Sequence, residues 1–217
     1  MLPIYDEINF IDILDKGGRN KPWLVKVNVG DAYENYVIKI FDEDPENFWT
    51  ASEVYGSILA KEFDLPTPDI ALFEVTPETI MTFPGELQMY LEDKGSGIKF
   101  GNLFMEGSLQ FDPTSSRQIG IVKNRIEMDT LYAFDQLINN IDRNSNRPNI
   151  LIRQDEIMLI DHELAFNELN EDRQTQILGG NTIGNNYQHH IFYYMLRSAS
   201  GRSKQDFFST FQELLRS

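Results

Sequence analysis

The stretch NNIDRNSNRPNILI at residues 139–152, followed by IMLIDHE at residues 157–163, decides how the fold of this chain is predicted. A polar loop that carries Asp142 and Asn149 leads into a short apolar run, and a second apolar run ends at Asp161. The short polar segment between the two apolar runs predicts the turn of a β-hairpin. Two acids and one side-chain amide are therefore expected at one edge of the hairpin, where oxygen ligands can bind a divalent cation.

The composition indicates a globular chain with a strong negative charge. The chain has 217 residues, and 41% of them are apolar, which is enough for one large domain or two small lobes. The balance of 34 acidic against 19 basic residues gives a net charge of -15. That charge repels phosphate backbones and anionic membranes, so we expect neither direct nucleic-acid binding nor membrane association.

The sequence contains no cysteine, which excludes disulfides, thiolate metal sites and a cysteine nucleophile. It shows neither a basic and apolar leader nor an apolar run of about 20 residues. We therefore expect a cytoplasmic protein.

Two strand-like runs in the first half of the chain predict an antiparallel hairpin. Residues 23–29 alternate apolar and polar side chains, a Gly-Asp pair breaks the run, and residues 36–41 are β-branched and aromatic. Gly17 and Gly18 precede this hairpin in a loop. By themselves they predict an ordinary turn, although phosphate-binding loops are also rich in glycine.

Lys39 lies inside the second of these runs, on the same face as Val37 and Phe41. A lysine in that position either extends to solvent at an edge or pairs with an anion. The apolar spacing of residues 48–63 predicts a helix, and Glu53 lies in its first turns. Glu53 is either a solvated helix residue or the partner that keeps the Lys39 ammonium ready for a phosphate.

The other segments predict a mixture of strands and helices. Strands are predicted at residues 70–76 and, in segments, at 98–111, a helix or loop at 84–93, and helices at 124–139, 188–197 and 204–215.

The strand segments predicted at residues 98–111 lead out of the β-rich first part of the chain, which ends near residues 105–113. We place a lobe boundary there. An adenine-binding hinge would fall at Glu106 and its neighbours, and it would bind through backbone groups, because no side chain identifies it.

Asp142, Asn149 and Asp161 each have an ordinary structural explanation, because an acid or an amide can cap a turn or satisfy a loop backbone. Together they match the requirements of phosphoryl transfer. A carboxylate orients or deprotonates the acceptor hydroxyl, an amide and a second carboxylate hold Mg²⁺, and a lysine contacts the nucleotide phosphates. These three residues and Lys39 supply the four groups.

The same residues resemble a known family. Asp142-Arg143 with Asn149-Ile150-Leu151, followed by Ile160-Asp161-His162, is similar to the catalytic and metal-binding loops of HipA-like kinases. The upstream glycine pair, the strand with its lysine, and the glutamate before Leu65-Pro66-Thr67-Pro68 are also similar to that family. The resemblance covers most of residues 14–166 and is thin over the two terminal helices.

The resemblance implies roles for the residues on the nucleotide side. Lys39 would contact the nucleotide phosphates, with Glu53 as its partner. Gly17 and Gly18 would belong to the loop that covers the phosphates, and Glu106 would belong to the hinge. The glycine loop contains no Ser or Thr, so self-phosphorylation of that loop, which longer members of the family use for regulation, is not supported here.

The resemblance also implies the roles on the catalytic side. Asp142 would be the catalytic carboxylate, and Asn149 and Asp161 would hold Mg²⁺. The interval from Asp142 to Asn149 is two residues longer than the usual kinase spacing. Asn144 and Asn146 therefore compete with Asn149 for the role of the metal-binding amide.

The three histidines are not needed by this chemistry. His162 is a metal ligand or, as we favour, a structural histidine, since adjacent residues on an extended chain point to opposite faces. His189 and His190 have no partner at ligand spacing, and we leave them out of the site.

The expected fold is α+β, a two-lobe protein-kinase-like fold with a β-rich N-terminal lobe at residues 1–110 and a mainly helical C-terminal lobe at residues 111–217. The resemblance implies ATP and Mg²⁺ as cofactors, a protein Ser or Thr as acceptor, and a toxin-antitoxin role with an antitoxin partner. Two alternatives stay open. The chain could be a small-molecule or lipid kinase, or a catalytically silent nucleotide-binding or interaction module.

Overall fold

The structure is a computed structural model that describes residues 1–14, 22–41, 48–92, 96–166 and 187–198. Two sequence predictions lie outside these residues: the loop with Gly17 and Gly18, and the helix at residues 204–215.

The chain divides into two compact units. The first consists of Met1–Val54 and Pro68–Glu106, and the second of Tyr55–Thr67 and Gly107–Ser217. Each unit has its own buried apolar cluster, and the two are described in turn.

A six-stranded sheet forms the first unit. Its strands are β1 (Ile4–Tyr5), β2 (Asn9–Ile13), β3 (Trp23–Val29), β4 (Ala32–Lys39), β5 (Ile70–Val75) and β6 (Gly97–Leu103). They lie in the order β1-β5-β6-β4-β3-β2. Strand β1 runs parallel to β5, and the other neighbours are antiparallel.

The predicted hairpin is β3 and β4. Val29 pairs with Ala32 across a two-residue turn, and Gly30 has a φ of 66°, which an L side chain adopts rarely. Trp23, Val25 and Val27 are buried, and the intervening residues are half-buried or exposed. The alternation read from the sequence is therefore confirmed.

The core of the first unit lies on one face of this sheet. Two helices, α2 (Pro77–Met81) and α3 (Gly85–Glu92), supply the apolar residues that cover it. The ring of Phe83, between α2 and α3, meets Trp23 edge-on with 5.5 Å between ring centroids. The edge strand β2 is mostly exposed.

The second unit combines helices with a small sheet. Helix α1 (Trp49–Glu62) enters this unit at Tyr55, and α4 (Ser116–Arg125), α5 (Met128–Leu137), a 3₁₀ turn (Tyr187–His189) and α6 (Tyr193–Ser198) complete its described helices. Strands β7 (Leu109–Gln110), β8 (Ile150–Arg153) and β9 (Glu156–Leu159) form an antiparallel sheet in the order β7-β8-β9.

Mixed α+β structure with a β-rich N-terminal sheet is thus confirmed. A clearly helical C-terminal lobe is not shown, because the described residues of the second unit place a three-stranded sheet among short helices. None of the helices in the described ranges combines the length and the apolar character that a membrane crossing requires.

Two predicted helices need correction. The helix predicted at residues 124–139 is divided between α4 and α5, because the buried, β-branched Ile126 takes an extended backbone with φ -129° and ψ 134°. The helix predicted at residues 188–197 starts at Tyr193, because His190 forms a β-bridge with Asn144 and takes the chain out of helical geometry.

The second core packs α5 against the β8–β9 hairpin. Leu131, Phe134 and Ile138 form the apolar stripe of the helix and its C-cap, and all three are buried. The hairpin supplies four further buried residues: Ile150, Ile152, Ile157 and Leu159. Helix α5 ends immediately before the polar loop, so this packing fixes the position at which the loop begins.

We predict that Leu131→Ala destabilises the fold by ~2–5 kcal/mol, because it leaves a cavity in this core. Leu137→Ala on the same helix is the matched control, because Leu137 is 46% exposed, and its cost should stay within ~1 kcal/mol. The measurement is the urea midpoint at constant m. Equal costs for the two variants would contradict the packing described here.

Candidate functional site

The β8–β9 hairpin brings the polar residues of the two loops to one end. Ile150 pairs with Leu159, and the Ile160 amide donates to the Asn149 carbonyl oxygen at 3.0 Å. Asn149 directly precedes β8, and Asp161 is the second residue after β9. The predicted hairpin is confirmed, and it holds Asn149 and Asp161 side by side.

Asp142 lies in the loop after α5 and is electrostatically coupled to this pair. Burial raises the pKa of the Asp142 carboxyl, and the nearby Asp161 carboxylate raises it further. The Arg147 guanidinium and the Asn149 side chain lower the pKa, but the net shift is upward. The structure therefore brings the three residues singled out from the hairpin sequence into one cluster.

Asn149 and Asp161 both have left-handed backbone conformations, with φ of 51° and 66°. Non-glycine residues take this conformation rarely, although Asn and Asp tolerate it best. Such backbone strain is held in place by surrounding contacts and is concentrated at functional sites. Both side chains are therefore aimed by a conformation that the hairpin alone would not favour.

The extra residues in the loop form a closed turn. The Asn144 amide donates to the Arg147 carbonyl oxygen at 3.0 Å, and the Asn144 side-chain oxygen accepts the amides of Asn146 and Arg147 at 2.9 and 3.1 Å. The side-chain oxygen of Asn144 is thus already engaged within the turn, and Asn146 is exposed. The Asn149 side chain, in contrast, lowers the pKa of the Asp142 carboxyl.

Arg143 supports this arrangement from inside the core. Its guanidinium is fully buried, and Nε donates to Asp135 Oδ2 at 2.7 Å. Nη1 donates to the Asn149 carbonyl oxygen at 2.6 Å, and Nη2 lies 3.4 Å from His162 Nε2. One side chain thus contacts the backbone of Asn149 and the neighbour of Asp161.

Asp135 on α5 is the counter-ion of Arg143. Its Oδ1 accepts from the Asn140 side-chain amide at 3.0 Å, and its Oδ2 lies 2.9 Å from His190 Nε2. Burial by itself would raise the pKa of Asp135, but the Arg143 guanidinium and His190 outweigh burial and lower the pKa to about 2. Asp135 is therefore a buried, charged carboxylate at neutral pH.

Sequence reasoning missed Asp135 and His190. His190, which we left out of the site for want of a partner at ligand spacing, does have a partner, 55 residues earlier in the chain. The available signal was the position of Asp135, a carboxylate that directly follows Ala133 and Phe134 in the apolar part of α5. Such a residue needs a buried partner.

The segment that carries His190 is bonded directly to the loop. Besides the bridge between Asn144 and His190, the Ile191 amide donates to the Arg143 carbonyl oxygen at 3.0 Å. The Phe192 amide donates to His190 Nδ1 at 3.1 Å. The loop is therefore held from two directions, by α5 and by residues 187–192.

His162 lies in the core of the second unit. It is buried, and its ring meets Phe134 edge-on at 6.1 Å between centroids. A Cβ built on Gly56 of α1 would lie 2.5 Å from the His162 Cβ, closer than real atoms approach. Gly56 is thus needed for the helix to pack against the residue that follows Asp161.

Lys39 and Glu53 form an ion pair in the first unit. Glu53 is fully buried and the Lys39 side chain is largely buried, so each charge requires the other. Of the two readings of each residue, pairing is the one that the structure shows.

The other residues suggested for the nucleotide side are not brought to a site. Glu106 is exposed in the turn that follows β6. Gly17 and Gly18 lie outside the described residues. Their assignment to nucleotide binding stays a prediction.

Comparison with known proteins identifies the family of the chain. A family model described as HipA-like kinase matches residues 10–200. The chain belongs to the HipA-like kinase family. The resemblance inferred from the sequence is confirmed, and membership implies that the chain is a kinase. No curated protein matches the chain.

A HipA-like kinase is expected to use Mg²⁺ with ATP, and the cluster in the second unit fits that ion. The Asn149 Nδ2 is buried without a hydrogen bond of normal geometry within the described residues, and the Asn149 carboxamide interacts with the Asp142 carboxyl. Together with the carboxylate of Asp161, it provides the oxygen ligands that a hard divalent cation prefers.

Gly56→Ala should destabilise this kinase by ~1–3 kcal/mol, because the added methyl group forces α1 away from His162. Gly120→Ala in α4 is the matched control. A Cβ at Gly120 meets nothing within 4 Å, so alanine should stabilise the helix by ~0.5–1 kcal/mol. Chemical denaturation of both variants tests the sign of each change, and stabilisation by both would contradict the close approach at His162.

The depressed pKa of Asp135 predicts a specific pH dependence. Its contribution to stability is fully present above its unfolded pKa of about 3.9 and is lost as the pH falls toward the folded value of about 2. At neutral pH, Asp135→Asn should cost ~3–5 kcal/mol, because it leaves the buried Arg143 charge uncompensated.

Urea midpoints between neutral pH and about pH 2 test this. The curves of wild type and Asp135→Asn should converge at the acid end, where the wild-type carboxyl becomes neutral too. Asp155→Asn in the exposed β8–β9 turn serves as the control and should run parallel to wild type. A constant gap between wild type and Asp135→Asn would refute the ionised state of Asp135.

Proposed function

We propose that the chain is an ATP- and Mg²⁺-dependent kinase that transfers the γ-phosphoryl group of ATP to a protein Ser or Thr hydroxyl. One observation carries the proposal: in a chain of the HipA-like kinase family, the largely buried Asp142 carboxylate lies beside Asp161 and Asn149. We also propose that the two units are the lobes of a kinase-like fold, with the boundary near residue 110.

Asp142 is proposed as the carboxylate that faces the acceptor. Its raised pKa makes it a better proton acceptor than an exposed aspartate. As the hydroxyl oxygen bonds to the γ-phosphorus, the bond from that phosphorus to the bridging oxygen breaks and ADP leaves. The hydroxyl proton passes to Asp142 and then to solvent.

Asn149 and Asp161 are proposed to hold Mg²⁺, which would neutralise charge on the phosphates of ATP. Two contacts fix the backbone from which these side chains extend. Arg143 binds the Asn149 carbonyl oxygen, and His162, which follows Asp161, is buried against Phe134. Fixed oxygen ligands lower the reorganisation that metal binding requires.

Lys39 is proposed to contact the ATP phosphates, oriented by Glu53. The support is the buried ion pair, which keeps an ammonium in a defined position on β4. Gly17 and Gly18 in the phosphate-covering loop and Glu106 in the adenine hinge complete the proposal for the nucleotide.

The biological setting follows from the family alone. We propose a cytoplasmic kinase with a protein substrate and, if it is a toxin, an antitoxin partner. A small-molecule or lipid kinase would use the same residues, so an acceptor assay has to separate these cases.

The decisive test is transfer of label from γ-labelled ATP in the presence of Mg²⁺. Asp142→Asn should lower transfer about a hundredfold or more, because it removes the proton acceptor. Asp161→Asn should abolish Mg²⁺-dependent nucleotide binding, because a carboxylate ligand of the ion is lost. Asp155→Asn, whose side chain is 64% exposed, is the control and should keep wild-type activity.

The acceptor is identified by where the label appears. Label in proteins of a cell lysate supports the protein kinase, whereas label in the lipid or small-molecule fraction supports the alternative acceptors. Binding of ATP with no transfer to protein, lipid, small molecules or water would show a silent module and refute the proposal.

A further inference from the structure

The loop between α5 and β8 contains two arginines, which differ in burial and in the number of their partners. Arg143 is fully buried, and each nitrogen of its guanidinium has a partner. The Arg147 side chain is 57% exposed, although it contacts the Asp142 carboxylate, whose side chain is 9% exposed. Arg147 is thus the solvent-facing group next to the proposed catalytic acid.

The contact between Arg147 and Asp142 is an incomplete one. A single nitrogen, Nη1, lies 3.2 and 3.4 Å from the two carboxylate oxygens of Asp142. Paired arginines usually bind carboxylate or phosphate through two parallel bonds of about 2.7–2.9 Å. Within the described part of the chain, Nε and Nη2 of Arg147 have no acceptor. Most of the N–H donors of its guanidinium are therefore available to another oxyanion.

The backbone that carries the Arg147 guanidinium has a fixed conformation. Arg147 closes the turn through its amide and its carbonyl oxygen, both bonded to Asn144. Pro148 further restricts the backbone of Arg147, because the residue before a proline is confined to extended conformations. This loop is two residues longer than the usual kinase spacing. The turn formed by the extra length places the Arg147 guanidinium beside Asp142.

Other exposed arginines of the second unit are engaged differently. Arg125 pairs with Asp155, and Arg153 pairs with Glu156 through both Nε and Nη2. These pairs lie at the opposite end of the hairpin, at the β8–β9 turn. Arg147 differs from both because its carboxylate partner is the one that the proposed reaction needs.

We infer that Arg147 is a specificity residue that binds an oxyanion of the acceptor, a carboxylate or phosphate close to the hydroxyl that is phosphorylated. This inference rests on the proposed function of Asp142. Binding of the acceptor oxyanion draws the guanidinium away from Asp142, so that the carboxylate oxygens become free for the hydroxyl.

The net negative charge of the chain is a second reason for a cation at the position of Arg147. A chain with a net charge of -15 repels an anionic acceptor at long range. A single exposed guanidinium at the reacting carboxylate offsets that repulsion at the position where the hydroxyl must arrive. An acceptor without an anionic group would leave Asp142 covered by Arg147.

Inorganic phosphate is the probe, observed by phosphorus NMR with the full chain. Titration is performed with Mg²⁺ and a non-hydrolysable ATP analogue at saturation, so that the γ-phosphate position is filled. Phosphate should bind to this ternary sample. Its affinity should fall about ten- to hundredfold in Arg147→Gln, the loss expected for charged hydrogen bonds.

Two further variants sharpen the result. Arg147→Lys keeps the charge but not the guanidinium, so it should restore only part of the affinity. Arg153→Gln removes an exposed arginine from the same unit and should bind phosphate like wild type. Circular dichroism confirms that each variant is folded, which is expected for substitutions at exposed positions.

The opposite outcomes are equally clear. Phosphate affinity that is unchanged in Arg147→Gln overturns the inference. Phosphate binding only in the absence of the analogue, or a parallel loss of analogue binding in Arg147→Gln, assigns Arg147 to the nucleotide and also overturns it. Failure of the analogue to bind wild type refutes the proposed function itself, whereas analogue binding without a phosphate site refutes only the inference for Arg147.

Discussion

The buried ion pair between Arg143 and Asp135 is the interaction on which the second unit depends. Removing two charges from water is costly, and the attraction between them compensates only when every remaining donor and acceptor is satisfied. Here Asn140 and His190 are the other partners of the Asp135 carboxylate. The Asn149 carbonyl oxygen and His162 are the other partners of the Arg143 guanidinium. The hydrogen bonds that satisfy the two buried charges therefore also fix the geometry of the loop.

Local patterns in the sequence predicted the elements, because those patterns report burial along a single segment. The alternation in β3 and the hairpin of β8 and β9 are of this kind. The division between α4 and α5 was not predicted, because it depends on an extended conformation of one buried residue, Ile126. The apolar spacing through that region suits a continuous helix equally well.

The candidate site shows the same limit. Asp142, Asn149 and Asp161 were found from their chemistry and order, and the structure clusters them. Asp135 and His190 could not be paired from the sequence, since nothing local relates residues 55 positions apart. The unusual length of the loop is explained by the turn at Asn144, whose side-chain oxygen accepts two backbone amides. This turn is visible in the structure and was not predicted from the sequence.

The return of residues 187–192 to the loop has a consequence for how the molecule is made. Until His190 and Ile191 have left the ribosome, Asp135 lacks one of its partners and the Arg143 carbonyl oxygen lacks its donor. The loop between α5 and β8 is therefore among the last parts of the second unit to be completed during synthesis. A nascent chain that already contains Asp142, Asn149 and Asp161 still lacks the contacts that hold this loop.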